Sequence, residues 1–320
     1  MKTSISRILH LSGSKPLAFL IFAGALVSCN GIDKNVSPEP EQQEIPTFTA
    51  STSYMETRTA LDGLNIVWSA DDKVAIFAGK DNQIEYKVKD GDAGKTSVTL
   101  EPTSDKAPSG KEFSANVAFY PYKSVAQCSE NNGIYQFQAE FPETQTWSQN
   151  SFSSGSMPMV AVSSSVNDKK LSFINLFGLL KLKVKLDGAT VKSIEVKGNA
   201  GEKLSGQAFV NCSHGSIPEI SFFPAAKEKV TLTCGNGVLC NESEETVFWV
   251  AVPPCVFTKG ITVSIVTTEK TIVRSVSSQV NVYRSTVLPM KEIAESLVFD
   301  EGNSTEGLGE DSEYPYPWDE

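Results

Sequence analysis

The chain has 320 residues, of which 28 are Lys or Arg, 38 are Asp or Glu and two are His, so that its formal net charge at pH 7 is −10. This acidic balance excludes a nucleic-acid-binding protein, because such proteins need clustered positive charge to displace the counterions of phosphates. Two histidines also argue against a zinc site built from several of them. The length is sufficient for two domains of ordinary size.

The first 28 residues have the pattern of a secretory signal peptide. Basic residues are followed by an uncharged apolar run, LAFLIFAGALV at 17–27, which is shorter than the roughly 20 residues of a membrane-spanning helix. The run leads into LVSC, residues 26–29, which resembles the lipobox of bacterial lipoproteins. The resemblance implies that Cys29 becomes the lipid-bearing first residue of the mature protein, and that several acyl chains hold it on the outer membrane.

Residues 29–44 are polar and contain Pro, and we expect them to form a tether between the membrane and the folded body. From residue 45 onward, short runs rich in Val, Ile, Phe, Tyr and Thr alternate with Gly, Asn, Asp and Ser. In LKLKVKL, residues 180–186, apolar residues and Lys alternate strictly, as in a strand with one buried and one solvated face. Runs of this kind and spacing predict an all-β chain made of β-sandwiches.

A Ser-rich stretch at 147–170 interrupts the apolar pattern. We place a domain boundary near its end, which predicts an N-terminal β-sandwich at 45–168 and a C-terminal β-sandwich at 169–299. The last segment, 300–320, carries eight acidic residues and neither Lys nor Arg. We therefore expect an acidic, disordered tail.

Two adjacent aspartates, Asp71 and Asp72 in WSADDKVAIFAG at 68–79, raise the question of a catalytic carboxylate pair. Such a pair needs a defined separation within a cleft, whereas adjacent residues in a turn between strands usually point apart. The stretch from Ser69 to Asp72 has the length and composition of a hairpin loop built around a turn. We therefore interpret both aspartates as structural.

Two other motifs suggest chemistry but lack parts of it. KDGDAGKTS at 89–97 resembles a calcium loop and a phosphate loop, yet it lacks the Glu of the first and the initial Gly of the second, so we predict a polar hairpin. His214 lies two positions from Cys212 without a supporting acid, so we do not expect a Cys–His nucleophile. The sequence predicts no catalytic, cofactor-binding or metal-binding residue, and hence a protein that is not an enzyme.

The mature chain has five cysteines beyond Cys29, an odd number, and export permits disulfides. Cys234 and Cys240 flank a GNG sequence and could approach each other across a predicted hairpin. The sequence leaves the pairing open among all five, which are Cys128, Cys212, Cys234, Cys240 and Cys255.

Several segments taken together resemble the fimbrillin family of Bacteroidales lipoproteins. They are TRTALDGLNIVWSADDKVAIFAG (57–79), AFYPY (118–122), F-x-A-x-x-P-x-x-Q (137–145), LSFINLFGLLKLKV (171–184) and IEVKGNAGEKLSG (194–206). Each segment is weak evidence by itself, but their joint occurrence behind a lipobox makes the resemblance specific.

The resemblance implies two transthyretin-like or immunoglobulin-like β-sandwich domains and a structural or accessory subunit, at the tip or the anchor, of cell-surface fimbriae. In polymerising members an arginine-specific protease removes an N-terminal segment and opens a groove that a strand from the next subunit fills. Arg58 followed by Thr59 matches such a trimming site, and IPTFTAST at 45–52 would be the removable strand. Implied partners are other fimbrial subunits and ligands on host or bacterial surfaces.

The C-terminal region is the natural donor in such an assembly, from Thr271 to Leu288 and at 294–299. After Phe299, however, the chain ends in the acidic, Pro-containing EYPYPWDE, which is a poor β-strand because Pro cannot donate a ladder hydrogen bond. An accessory, tip or anchor subunit therefore fits at least as well as a polymerising one.

The same sequence is also compatible with an alternative function. The chain would then be a surface lipoprotein that binds glycans as a monomer, because exposed aromatic side chains can stack on sugars. The candidate aromatic residues are Trp147, Trp249, Trp318 and the tyrosines of the Tyr-Pro pairs, although a Trp within TVFWVAV, such as Trp249, is more often a core residue.

Overall fold

The computed structural model describes residues 45–52, 56–57, 66–241 and 243–294. The predictions for the signal peptide, the tether and the acidic tail lie outside these ranges. The described residues are all-β, as predicted, with one 3-10 turn at Tyr122–Ser124 and no α-helix among them. Nothing in these ranges is a helix long and apolar enough to cross a membrane.

The strands share the short, apolar-rich runs that the sequence shows. In chain order they are β1 Phe48–Thr52, β2 Glu56–Thr57, β3 Lys73–Lys80, β4 Ile84–Val88, β5 Ser97–Pro102, β6 Glu112–Tyr120, β7 Val125–Asn131, β8 Ile134–Phe141, β9 Thr144–Thr146, β10 Met159–Val162, β11 Lys170–Asn175, β12 Gly178–Lys185, β13 Thr190–Gly198, β14 Gly206–Cys212, β15 Glu219–Phe222, β16 Lys229–Leu239, β17 Thr246–Val252, β18 Cys255–Phe257, β19 Ile261–Thr267, β20 Thr271–Ser275, β21 Val280–Val282, β22 Thr286–Pro289 and β23 Ile293–Ala294.

Seven strands close into a barrel of order β1-β11-β10-β6-β3-β4-β5. β1 completes the ring, because it pairs in parallel with β11 and antiparallel with β5. Phe48 and Ala50 of β1, only 1% and 0% exposed, belong to the buried cluster that also contains Trp68, Tyr86 and Phe173. The first strand of the described chain is thus part of the barrel's core.

β3 is buried on both of its faces, which explains its unbroken apolar run. Val74 and Ile76 belong to the cluster inside the barrel, whereas Ala75 and Phe77 belong to a second cluster. That second cluster includes inward residues of a four-stranded sheet of order β15-β14-β8-β7, which packs against the barrel wall. A strand covered on both sides has a continuous apolar sequence in place of an alternating one.

The C-terminal half contains two packed sheets. One has the order β17-β12-β22-β2, with β23 also paired to β12, and the other has the order β20-β19-β13-β16-β9. Leu180, Leu182 and Val184 of β12 are fully buried in the cluster between these sheets, and the intervening lysines are partly exposed. The strict alternation predicted for this strand is confirmed.

Strand pairing crosses the predicted domain boundary near residue 168. β1 pairs with β11, β8 pairs with β14 along Gly206–Cys212, and β9 pairs with β16. The two halves of the chain therefore share hydrogen-bonded sheets. The boundary itself and the transthyretin-like or immunoglobulin-like topology stay predictions.

The segment before the Asp71–Asp72 turn differs from the predicted hairpin strand. Residues 66–69 belong to no strand ladder. Instead, the backbone N–H of Trp68 donates to the carbonyl of Lys95 at 3.0 Å, and the Trp68 carbonyl accepts from the backbone N–H of Gly94 at 2.8 Å. The burial of Trp68 in the barrel core takes precedence over strand pairing at this point. The apolar pattern was correct for burial and wrong for backbone pairing.

The GNG sequence at 235–237 also differs from its prediction, because it is no hairpin turn. β16 runs through it as one strand, and the register against β13 shifts between Val191 and Ser193, as in a β-bulge. Gly235 and Gly237 have φ values of 54° and 106°, in the left-handed region where Gly is tolerated best. Cys234 therefore lies within β16 and Cys240 directly follows its last residue, with no hairpin turn between them, and all five described cysteines are free.

One buried side chain links the two sheets of the C-terminal half. The amide of Gln145 in β9 donates to the carbonyl of Ala251 at 2.7 Å and accepts from Ala251 N–H at 3.0 Å. Ala251 lies in β17, an edge strand, so the Gln145 side chain occupies the place of a neighbouring strand's backbone. The Gln of the F-x-A-x-x-P-x-x-Q segment is thus structural.

Replacing Gln145 with Ala should destabilise the fold strongly. The substitution leaves the buried N–H and C=O of Ala251 without partners, and we expect the free energy of unfolding to fall by about 2–5 kcal/mol. The measurement is equilibrium unfolding in urea.

The matched control is Gln127→Ala, because Gln127 is exposed and bonds only to the side chain of Gln138, at 2.7 Å. This variant should lose less than about 0.5 kcal/mol. Equal losses of unfolding free energy in the two variants would show that the Gln145–Ala251 hydrogen bonds contribute no more to stability than an exposed side-chain contact.

Candidate functional site

The predicted lipidation and processing residues, Cys29, Arg58 and Thr59, lie outside the described residues. The structure does describe the backbone that directly precedes Arg58. It forms β2, which pairs in parallel with β22 through Glu56↔Thr286 and Thr57↔Val287. The chain therefore reaches the predicted trimming site from a strand at the edge of a sheet.

Trimming after Arg58 would separate both β1 and β2 from the rest of the protein, and β1 is the more extensively paired of the two. Its backbone is paired on both sides, with four residue pairs to β11 and four to β5. The ring of Phe48 packs edge-on against Tyr86 with centroids 5.5 Å apart, and Lys169 Nζ lies 5.4 Å from the centre of the Phe48 ring. The Tyr86 hydroxyl donates to the carbonyl of Pro46 at 2.9 Å. β1 thus lies in a groove that provides backbone hydrogen bonds from β5 on one side and β11 on the other, and an apolar interior for its buried side chains.

The turn at Asp71 and Asp72 is confirmed, and Asp72 has a second task. Its N–H donates to the Ser69 carbonyl at 3.1 Å, and its carboxylate accepts from Ser69 N–H and from the Tyr120 hydroxyl, each at 2.7 Å. Burial raises the pKa of the Asp72 carboxyl above its ordinary 3.8, although these two hydrogen bonds act in the opposite direction. Asp72 is structural, as interpreted, and it is also a buried partner of Tyr120.

A cleft of about 250 Å³, the Asp72 cleft, opens beside this pair. Its buried residues include Trp68, Asp72 and Tyr120, and the indole N–H of Trp68 has no hydrogen-bond partner. The Ser-rich stretch interpreted as a domain break supplies one wall of the cleft. Its contributions are Ser148, Ser151, Phe152, Ser154, Gly155, Met157 and Met159.

Sequence reasoning missed this cleft. Tyr120 is 48 residues from Asp72 in the sequence, so no local sequence pattern predicts their contact. The only signal was the joint presence of a polar Ser-rich segment and the AFYPY motif at 118–122.

The other motifs with a predicted chemical interpretation take structural roles. The 89–97 segment forms the predicted polar hairpin between β4 and β5, in which the Asp92 carboxylate accepts from Thr99 N–H at 2.9 Å. His214 is exposed and its Nδ1 lies 2.9 Å from the Val162 carbonyl, whereas Cys212 is buried in the second cluster. Burial raises the pKa of the Cys212 thiol to about 12, so it is a poor nucleophile.

Metal-ligand side chains are dispersed. Within the described ranges, no group of three or more His, Cys, Asp or Glu side chains is arranged to hold a metal ion. The tryptophans proposed for glycan stacking do not form one site either, because Trp147 and Trp249 pack against different buried clusters. Trp147 packs against the C-terminal core, Trp249 is partly buried with Lys181 Nζ 5.5 Å from its ring, and Trp318 lies outside the described residues.

Replacing Asp72 with Asn should make stability less dependent on pH. A carboxyl whose pKa is raised in the folded protein holds its proton more tightly there than in the unfolded chain, so its contribution is present below about pH 3.8 and is lost as the pH rises through the folded pKa. The free energy of unfolding of Asp72→Asn, relative to the natural chain, should therefore increase as the pH rises above about 3.8. Urea unfolding at a series of pH values measures it.

A second variant sharpens this test. Tyr120→Phe removes one of the two bonds that lower the pKa of Asp72, so the loss of stability with rising pH should become larger. A relative stability of Asp72→Asn that falls with rising pH would mean that the folded protein favours the carboxylate, contrary to this account.

No protein-family model matches the chain, and no curated protein matches it. Among solved structures, a candidate cell-adhesion protein of Bacteroides ovatus is 12% identical with a TM-score of 0.45, over 78% of this chain and 92% of that one. A candidate cell-adhesion protein of Bacteroides uniformis is 14% identical with a TM-score of 0.42, over 78% and 95%. The tip fimbrial protein Mfa3 of Porphyromonas gingivalis is 11% identical with a TM-score of 0.29, over 78% and 97%. The solved structures to which the chain is similar are thus fimbrial and cell-adhesion proteins of Bacteroidales, at low sequence identity.

Proposed function

We propose that the chain is a lipid-anchored structural or accessory subunit of cell-surface fimbriae, at the tip or the anchor. In this role it assembles with other fimbrial subunits by β-strand complementation and contributes to adhesion. The observation that carries the proposal is the position of β1, which closes the barrel and lies just ahead of Arg58 in the chain.

The lipid anchor is proposed from the sequence. LVSC at 26–29 follows an apolar run that is too short to span a bilayer comfortably, and the polar segment 29–44 begins at once after it. Lipidation at Cys29 would hold the mature chain on the outer membrane, at the cell surface.

Trimming after Arg58 would turn the barrel into an acceptor. Without β1, both β5 and β11 would have an unpaired edge, and the space filled by Phe48 and Ala50 would be empty. Unpaired backbone groups beside an apolar groove favour the addition of a strand from another chain. Such a contact joins two different surfaces, so successive subunits would form an open fibre.

The described C-terminal strands favour an accessory role over a polymerising one. The region from Thr271 to Leu288 forms β20, β21 and most of β22, and these strands pair with β19, β18 and β12 of the same chain. Donating them to a neighbour would require the C-terminal sheets to open. Of the second donor segment, 294–299, only Ala294 is described, as the last residue of β23.

A glycan-binding lipoprotein acting as a monomer is the second candidate function. The Asp72 cleft favours it, because the cleft combines aromatic, hydroxyl and carboxylate groups. We infer no enzymatic role for either candidate, since Asp72 is held by Ser69 and Tyr120, and Cys212 is buried whereas His214 is exposed.

Arginine-specific proteolysis should cut the native protein at one place. The sequence has four arginines, and Arg7 lies in the predicted signal peptide, whereas Arg274 is 9% exposed and Arg284 is partly buried. We expect mass spectrometry of the treated protein, and of protein isolated from the cell surface, to find a chain that begins at Thr59. A start at acylated Cys29 in all surface material would contradict trimming.

The trimmed protein should accept a strand with the sequence of β1. A synthetic peptide of residues 45–52, IPTFTAST, at about 100 times its Kd would stabilise the trimmed protein by about 2.7 kcal/mol and raise its Tm by roughly 5–10 °C. The matched control peptide carries Asp in place of both Phe48 and Ala50, which removes the two buried anchors. Equal shifts with the two peptides would contradict complementation.

A further inference from the structure

We propose that the Asp72 cleft binds one neutral hexose ring, as a unit of a surface glycan. The proposal gives a ligand class to the adhesion part of the proposed function, on which it rests, and is independent of strand complementation.

The polar groups of the cleft need a ligand that both donates and accepts. Trp68 is 1% exposed and its buried indole N–H has no partner, which is unfavourable in the absence of a ligand. The Asp72 carboxylate accepts one bond at each oxygen, from Ser69 and Tyr120, and each oxygen can accept another. A sugar hydroxyl can accept from an indole N–H and donate to a carboxylate. An ammonium ion, in contrast, has no acceptor for the indole.

The charge of the cleft selects against ionic sugars. Asp72 is the only charged residue among the described residues that line the cleft, and no Lys or Arg is present to pair with an anion. A uronic acid or a sugar phosphate would place its negative charge beside a buried carboxylate, and like charges in such a site repel strongly. A neutral hexose avoids this cost.

Size and shape favour a single ring. The cleft volume of about 250 Å³ is below the roughly 300–1,000 Å³ of sites for drug-sized ligands. Phe152 is partly buried in the wall and offers an aromatic surface for the C–H face of a pyranose. Ser151 and Ser154 are exposed at the rim, where their hydroxyls can bond to the outward hydroxyls of the sugar.

The test uses the full-length protein and saturation-transfer NMR with D-glucose, D-galactose, D-mannose and N-acetyl-D-glucosamine, each added alone. We expect at least one of these hexoses to bind, and Trp68→Phe to weaken its Kd about tenfold, because the variant keeps an aromatic ring and loses the N–H donor. D-glucuronic acid should bind more weakly than glucose.

Trp147→Phe is the matched control. It removes a second buried indole N–H without a partner, at a residue that does not line the cleft. Binding should be unchanged in this variant. If Trp147→Phe and Trp68→Phe weaken binding equally, the cleft is not the site.

Ser151→Phe keeps the proposal testable if Trp68→Phe does not fold. Ser151 is exposed, so a bulky side chain there should obstruct the cleft and leave the core intact, as near-UV circular dichroism can verify. We expect this variant to lose hexose binding. Binding of none of the four hexoses at millimolar concentration, or full binding by Ser151→Phe, would overturn the proposal, and neither outcome would affect the trimming and peptide tests.

Discussion

The requirement that every buried backbone group has a partner makes β1 the strand on which the N-terminal half depends. The five residues Phe48–Thr52 satisfy the edges of both β5 and β11, and without them a closed barrel would become an open sheet with an exposed core. Barrels avoid edges by closure, and here the closing strand is the first strand of the described chain. Closure by a terminal strand is stable while the strand is present and reversible in principle once the chain is cut behind it.

In the C-terminal half, the hydrogen-bonding requirement of a buried backbone is met by a side chain. Gln145 pairs with the backbone of Ala251 and so continues an edge strand without adding a strand. Its strand, β9, pairs in parallel with β16 of the opposite sheet, so a single residue is bonded to both layers. Together with the β8–β14 ladder, this contact joins segments that the sequence pattern separates near residue 168.

Local patterns predicted the strands well and their partners poorly. The alternation at 180–186 and the apolar run of β3 reflect burial by neighbouring layers, which any short window of sequence records. The contacts of Asp72 with Tyr120 and of β1 with β11 join residues 48 and about 120 positions apart, and no short window contains them. The glycines at 235–237 predict a turn but form a bulge, because Gly supplies positive φ in both.

The pairing of β1 also determines how the protein would respond to force. Ladder hydrogen bonds lie across the strands, so a pull directed along β1 loads its bonds to β5 and β11 together, in shear. A pull at right angles would instead break them one after another from one end. A chain held on a membrane through the segment ahead of Phe48 would therefore resist tension best when the load is aligned with its first strand, with rows of bonds on two sides sharing it.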